Sequence, residues 1–295
     1  MMKVIDKSFE ELNTSLDISQ ILENITATLK NMNIDYKILE KIYQKSENFF
    51  IQIINDGTYS IKLPNGVIKE NRIAGTSGAL KTNMIFKVDD KELNIIPGVV
   101  LRKNYNVHQL VHELLHVLSS RQHDYFDDEG ITYTKTGTKI DYYNRSLDEY
   151  SNEKNFSSDG LNEGITELLA SIITKEYTGN YAPYVVISKL FMNNNNYLLN
   201  AYFDDNISEF EKFYKDVEEK QSLVTREDFK ILTSNCTDYE MISKIIVAGI
   251  KYCKSNGQEI SDEELNLMIN YLDNNLMLDS GSWYDLISEN VSKLK

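Results

Sequence analysis

The sequence predicts an α+β protein with a mixed sheet, one amphipathic helix that carries the functional residues, and a mostly helical C-terminal lobe. Strand-like segments concentrate in residues 48–101, helical periodicity dominates from Pro183 onward, and the amphipathic helix lies between them. A chain of 295 residues can bury enough apolar surface for a sizeable core. We therefore expect one compact unit with three regions, at residues 1–105, 106–184 and 185–295.

The N-terminal region is predicted to begin with a pair of helices. Helical periodicity covers residues 3–45. The apolar residues of the first run recur at helical spacing, at Leu12, Leu16, Ile21, Ile25 and Leu29. A second, shorter run covers residues 36–43. We expect the pair to pack on the core, and an arm that covers a cleft is the alternative.

Strands are predicted to follow. The segments TYSIKL and VIKENRI flank Pro64-Asn65-Gly66, which is a strong hairpin signal. Residues 83–88, NMIFKV, form a further strand candidate ahead of the amphipathic helix. After that helix, the segment ITYTKTGTKIDYY alternates in polarity around Gly137 and predicts a second hairpin.

The amphipathic helix covers residues 107–120, VHQLVHELLHVLSS, and contains His112, Glu113 and His116. Histidines four residues apart lie on one face of a helix, so their imidazoles can bind a single zinc ion. Glu113 between them suits a general base. The opposite face is apolar, with Val107, Leu110, Val111, Leu114 and Leu118.

Residues at the start of this helix carry two further predictions. Asn106 is expected to be the N-cap, with Gln109 completing a capping box. His108 lies one turn before His112 on the same face, and we expect its side chain to be exposed. A contact with substrate or with a zinc ligand is the alternative for His108.

A catalytic zinc ion takes three protein ligands and leaves its fourth position to water. The strongest source of the third ligand is GLNEGITELLA at residues 160–170, where Glu163 and Glu167 are again four residues apart on a helix. Glu163 can face a cleft, and Glu167 can accept a hydrogen bond from a ligating imidazole. The apolar side of this helix contains Leu161, Ile165, Leu168, Leu169 and Ile172.

Together, HELLH and LNEGITE resemble the motifs of the gluzincins, the zinc metallopeptidases that include thermolysin. The resemblance covers about residues 83–178 and implies a zincin fold. It implies that His112, His116 and Glu163 bind one Zn²⁺ per chain and that Glu113 is the general base. Glu167 stands where the family usually has an Asp that holds a ligand histidine. In the family, the strand at residues 83–88 would form the upper rim of the cleft, with an edge that pairs with an extended substrate, and an ordinary central strand is the alternative. The helical lobe would form the lower wall of the cleft, and an independent partner-binding bundle is the alternative.

Two other residues remain alternatives to Glu163 as the third ligand. His123 follows His116 by seven residues, but the metzincin pattern requires glycine and histidine where this chain has Ser119 and Gln122. Asp141, in GTKIDYY, resembles the aspzincin signature with one residue too many before the Asp.

Composition limits the partners and the compartment. The formal net charge of −14 argues against nucleic acid and against anionic membrane surfaces as partners. The sequence shows no signal peptide and no transmembrane run, so a cytoplasmic protein is expected, with signal-independent export left open. Cys236 and Cys253 are expected to be two buried thiols in a reducing compartment.

The C-terminal region is expected to be helical. Helices are predicted at residues 208–221 and 238–254 and from Trp283 onward, and a further helix is predicted to begin with a capping box formed by Ser261 and Glu264.

The function expected is that of a zinc-dependent peptidase with a peptide or protein substrate. Two alternatives are a zinc-binding recognition protein and a toxin-like effector protease with a single protein target. Glu113 disfavours the recognition protein, because zinc binding alone needs no general base. No oligomeric state is predicted.

Overall fold

The computed structural model shows a mixed α/β protein in which more residues lie in helices than in strands. It describes residues 17–54, 58–62, 68–72, 79–87, 92–125, 131–144, 149–156, 158–192, 195–204, 206–278 and 281–292. Side chains are described at 17–54, 96–122, 135–140, 158–192, 195–204, 206–278 and 281–290. Within these ranges, no helix combines the length and the apolar character that a membrane span requires.

The chain divides into two compact units. The first contains Met1–Asn155, Leu169–Glu176 and Tyr202–Asp205, and the second contains Phe156–Leu168, Tyr177–Ala201 and Asn206–Lys295. The division falls inside one continuous helix, Asp159–Thr174, so this helix contributes its first ten residues to the second unit and its last six to the first. The predicted division into three regions stays a prediction.

The first unit begins with two helices that pack on each other, α1 (Ile18–Asn31) and α2 (Tyr36–Ser46). Asp17 and Asp35 act as their N-caps, and each carboxylate accepts a hydrogen bond from a backbone N–H of the first turn. The predicted helix pair is therefore confirmed for residues 18–46. The part of that prediction before Asp17 lies outside the described residues.

A four-stranded sheet with β5 (Glu92–Arg102) at its centre follows in the first unit. β5 pairs antiparallel with β4 (Ala79–Lys87) and parallel with β1 (Phe50–Ile54), and its first residues pair with β6 (His123–Tyr125). The Phe50 ring covers Gly98 on the neighbouring strand so closely that any Cβ atom at position 98 would overlap it. The predicted strand at residues 83–88 is confirmed as part of β4 up to Lys87, and Val88 lies outside the described residues.

The two predicted hairpins are present. β2 (Thr58–Lys62) pairs antiparallel with β3 (Ile68–Arg72), while the turn between them lies outside the described residues. β7 (Ile131–Thr136) pairs antiparallel with β8 (Lys139–Asn144), and Gly137 in the turn has a positive φ of 57°, a conformation that favours glycine. β9 (Glu149–Phe156) joins the same three-stranded sheet.

The helix that was predicted to carry the functional residues is α3 (Val107–Leu118), which packs on β4 and β5. Helix α4 is Asp159–Thr174. The remaining helices belong mainly to the second unit and are α5 (Ala182–Met192), α6 (Asn196–Phe203), α7 (Ile207–Lys220), α8 (Arg226–Lys230), α9 (Tyr239–Ser255), α10 (Asp262–Asn275) and α11 (Trp283–Ser292).

The second unit is built around α9, which packs on α5, α7, α8 and α11. Its aromatic cluster joins Phe191, Phe213, Phe229 and Tyr252, with ring centroids 5.0–6.3 Å apart. The capping box of Ser261 and Glu264 is confirmed at the start of α10. This helical unit agrees with the expectation of a mostly helical C-terminal region.

The cysteine prediction is confirmed for one thiol and wrong for the other. Cys253 is buried on α9, and its thiol donates a hydrogen bond to the backbone oxygen of Leu190. Cys236 is only half-buried, because it lies in the connection before α9 and not on a packed helix.

Candidate metal centre

Helix α3 starts as the sequence predicts. The Asn106 side chain accepts a hydrogen bond from Gln109 N at 2.8 Å, and the Gln109 side chain accepts one from Asn106 N at 3.1 Å. The apolar face is buried at Leu110, Val111, Leu114 and Leu118. Val107 is the exception in that predicted face, because it is the first helical residue and remains 41% exposed.

His112 and His116 present their Nε2 atoms to each other across one helical turn. The two nitrogen atoms are 3.2 Å apart, and the ring planes meet at 74°. Both side chains are buried, with 7% and 5% of their surface exposed. Two nitrogens that bind one tetrahedral zinc ion at about 2.0–2.1 Å lie about 3.3 Å apart, so this spacing fits a shared metal ion.

The C-terminal end of α3 is fixed by the β7–β8 hairpin. Gly137 N donates a hydrogen bond to Ser119 O, and Arg121 N donates one to Lys135 O. The Ser120 hydroxyl donates to the backbone oxygen of His116 at 2.6 Å. These contacts hold the turn that carries His116, because they satisfy backbone groups that the end of a helix leaves unpaired.

Helix α4 brings Glu163 to the two histidines. One ligand atom from each of His112, His116 and Glu163 can be chosen so that all three lie within 4.8 Å of one another. This limit is wider than the spacing around a tetrahedral zinc ion, but rotation about the torsions of the Glu163 side chain can close the difference. Glu163 is half-buried, so its carboxylate retains access to solvent.

Two glycines allow α4 to lie directly against α5. A Cβ atom at Gly164 would lie 2.5 Å from the carbonyl carbon of Tyr184 and 2.7 Å from Ser188 Oγ. A Cβ atom at Gly160 would lie 2.9 Å from the Tyr184 ring. The glycine next to Glu163 therefore fixes how closely the ligand-bearing helix approaches its neighbour.

The start of α4 is held by side chains at its first residues. The Asp159 carboxylate accepts hydrogen bonds from the backbone N–H and the hydroxyl of Ser234. The Ser158 hydroxyl donates to Phe229 O at 2.9 Å and lies 2.9 Å from the Tyr214 hydroxyl. Negative charge at Asp159 also suits the N-terminus of a helix.

Glu113 and Glu167 occupy different environments. Glu113 follows His112 directly on α3 and is half-buried. Glu167 is buried, and its carboxylate accepts a hydrogen bond from the Thr178 hydroxyl at 2.6 Å. Burial, and after it the charge of Glu167, raises the pKa of Tyr271 to about 12. The role of Glu167 in holding a ligand histidine stays a prediction.

The expected exposure of His108 is wrong. Its side chain is 1% exposed, and Nδ1 lies 2.9 Å from Thr174 Oγ1, at the last residue of α4. Sequence periodicity missed this contact, because the partner lies 66 residues further along the chain. The backbones of His123 and Asp141 lie in β6 and β8, and the side chains of these two alternative ligands lie outside the described residues.

No protein-family model, no curated protein and no solved structure matches this chain.

Proposed function

We propose that this protein is a zinc-dependent peptidase of the gluzincin type. The observations that support the proposal are the approach of Glu163 on α4 to His112 and His116 on α3 and the short distance between the Nε2 atoms of the two histidines. Two imidazoles and one carboxylate form the ligand set of catalytic zinc sites such as that of thermolysin. These are the three residues to which the resemblance assigns zinc binding.

In this proposal His112, His116 and Glu163 hold the ion. A bound zinc ion supplies a lowered pKa for water and polarisation of the scissile carbonyl. Glu113 removes the proton from the attacking water and then delivers a proton to the leaving amine. Glu113 follows His112 directly on α3 and is half-buried, so its carboxylate retains access to solvent.

The sheet beside α3 supports a peptide as the substrate. Helix α3 packs on β4 and β5, and within the described strands β4 pairs with β5 alone. An outer strand carries backbone N–H and C=O groups that can pair with an extended peptide. The nine residues of β4 are enough for several such hydrogen bonds.

The proposal is tested by metal content and hydrolysis together. We expect elemental analysis of the purified protein to find one zinc ion per chain, and unstructured proteins such as casein to be cleaved. A chelator should abolish cleavage, and stoichiometric zinc should restore it. Stoichiometric zinc without cleavage of any unstructured protein or peptide library would refute a general peptidase and would leave the zinc-binding recognition protein and the single-target protease as the two alternatives.

A further inference from the structure

The hydrogen bond between His108 and Thr174 joins the two helices that carry the candidate ligands. His108 lies in the first turn of α3, and Thr174 is the last residue of α4. The ligand histidines follow His108 on α3, whereas Glu163 precedes Thr174 on α4. The two helices are therefore antiparallel where they meet. They approach each other at two separate places, and a hydrogen bond joins them at one of these, between His108 and Thr174.

The surroundings of the Thr174 hydroxyl indicate which nitrogen of His108 carries hydrogen. The hydroxyl donates its one hydrogen to Ala170 O at 2.8 Å, and its oxygen accepts from Glu176 N at 3.3 Å. His108 Nδ1 lies 2.9 Å from the same oxygen, which has one lone pair left to accept a hydrogen bond. Every bonding position of the hydroxyl is filled when Nδ1 is the donor, and this fixes the orientation of the ring.

Helix geometry converts this contact into a constraint on Glu163. Glu163 lies eleven residues before Thr174 on the same helix, a distance of about 16 Å along the axis. A tilt of α4 by about 5° about its last turn would move the backbone at Glu163 by about 1.4 Å. Metal–ligand distances tolerate only about 0.2 Å, so after such a tilt Glu163 could keep the ion only by adopting another side-chain rotamer.

We propose that His108 is a positioning residue of the metal centre. Its Nδ1–H donates to Thr174 Oγ1 and holds α3 against α4, and this contact keeps Glu163 within reach of a metal ion shared with His112 and His116. The inference rests on the proposed zinc site and adds to it a residue that neither binds the metal nor touches the reacting groups. Removing a group that hydrogen-bonds a metal ligand directly usually lowers metal affinity by about 10–100-fold, and we expect His108, which acts through the position of a helix, to lie at the lower end of this range.

The test measures zinc dissociation constants by competition with a chromogenic chelator. Thr174→Val removes the acceptor at nearly unchanged volume, and we expect zinc affinity to fall by about tenfold or more. Thr174→Ser keeps the hydroxyl and should stay within about threefold of the wild type. The control is Thr26→Val on α1, because Thr26 makes the same type of bond, from its hydroxyl to Leu22 O, in a helix without candidate ligands.

A pair of His108 variants tests the assignment of the donor nitrogen. The side-chain nitrogen of Asn is as many bonds from Cβ as Nδ1 is, whereas that of Gln corresponds to Nε2. We therefore expect His108→Asn to keep zinc affinity within about threefold and His108→Gln to lose about tenfold. If Thr174→Val fails to fold, this pair decides the proposal.

Cobalt-loaded protein provides a readout that loss of general stability would not change. We expect the visible absorption of Co²⁺ to change in Thr174→Val and His108→Gln and to remain unchanged in Thr26→Val.

Wild-type zinc affinity with an unchanged cobalt spectrum in Thr174→Val would overturn the role of His108 alone. A wild-type protein that binds no zinc would overturn this role together with the proposed function. Loss of zinc affinity in the variants of a protein that cleaves no peptide would overturn only the peptidase.

Discussion

Gly164 lies so close to Tyr184 that a Cβ atom at position 164 would be 2.5 Å from the carbonyl carbon of Tyr184. A backbone atom cannot move aside as the end of a flexible side chain can. Any larger residue at position 164 must therefore shift α4 relative to α5, and Glu163 lies one residue away on the shifted helix.

Gly164→Ala should therefore destabilise the protein in spite of the higher helix propensity of alanine. Overpacking of this kind costs roughly 1–3 kcal/mol, which outweighs a gain of about 0.5–1 kcal/mol from the helix. The free energy of unfolding in urea measures the loss, and the zinc dissociation constant of the folded variant should rise. Gly249→Ala on α9 is the matched control, because its Cβ would meet side-chain atoms of Leu190 and Phe191 at 3.1–3.3 Å. Equal stability of the two variants would contradict the argument.

His112→Ala and His116→Ala should each abolish stoichiometric zinc binding, because a single imidazole and one carboxylate hold zinc weakly. Zinc should also stop raising the unfolding temperature of these variants. For the wild-type protein, a free zinc concentration one hundred times the dissociation constant should raise the free energy of unfolding by about 2.7 kcal/mol. His123→Ala removes an imidazole outside the proposed ligand set and should keep both effects. Full zinc content in both single variants would place the metal elsewhere.

Glu113→Gln should keep zinc and lose hydrolysis. The amide is nearly the same size as the carboxylate but does not accept a proton at neutral pH. We expect the rate of peptide cleavage to fall about a hundredfold or more, with zinc content at one per chain. Glu259→Gln changes an exposed carboxylate in the second unit and should cleave at the wild-type rate. Activity within a few-fold of wild type in Glu113→Gln would assign the base to another group.

Cys253 should resist alkylation in the folded protein. Burial raises the pKa of its thiol to about 11, so at pH 8 only about one molecule in a thousand carries the reactive thiolate. Cys236 is half-buried and should react with iodoacetamide first. Mass spectrometry of peptides after timed labelling measures both rates, and unfolding in urea should make them similar. Equal rates in the folded state would contradict the described packing of α9.

Those parts of the fold and site that depend on local chemistry could be predicted from the sequence. The capping boxes at Asn106 and Ser261 join residues three positions apart, and the pairing of His112 with His116 follows from helix geometry alone. The β7–β8 turn depends on the positive φ of Gly137, which the sequence also indicates.

Contacts between distant segments could not be predicted in the same way. The burial of His108 depends on Thr174, and the tight packing of Gly164 depends on Tyr184, which belongs to another helix. Periodicity describes the face of one helix and contains no information about which helix covers it. The approach of Glu163 to the histidines was expected from the resemblance to the gluzincins, because no local pattern relates residues so far apart in the sequence.

Glu163 should be the third ligand, in preference to Asp141 or His123. Removing its carboxylate in Glu163→Ala should weaken zinc binding by tens- to hundreds-fold and abolish cleavage, because two imidazoles alone hold zinc poorly. Glu167→Gln should act more mildly: the amide still offers an acceptor to the Thr178 hydroxyl, which donates to Glu167 at 2.6 Å.

Asp141→Asn and His123→Ala serve as controls for this prediction, since each removes an alternative ligand. Both should bind zinc within about threefold of wild type, because neither side chain belongs to the proposed ligand set. The four variants are compared by zinc competition at a temperature where all remain folded. A larger loss in Asp141→Asn or His123→Ala than in Glu163→Ala would assign the third ligand to a different zincin branch. His112 and His116 would then keep their roles, and the gluzincin type would be wrong.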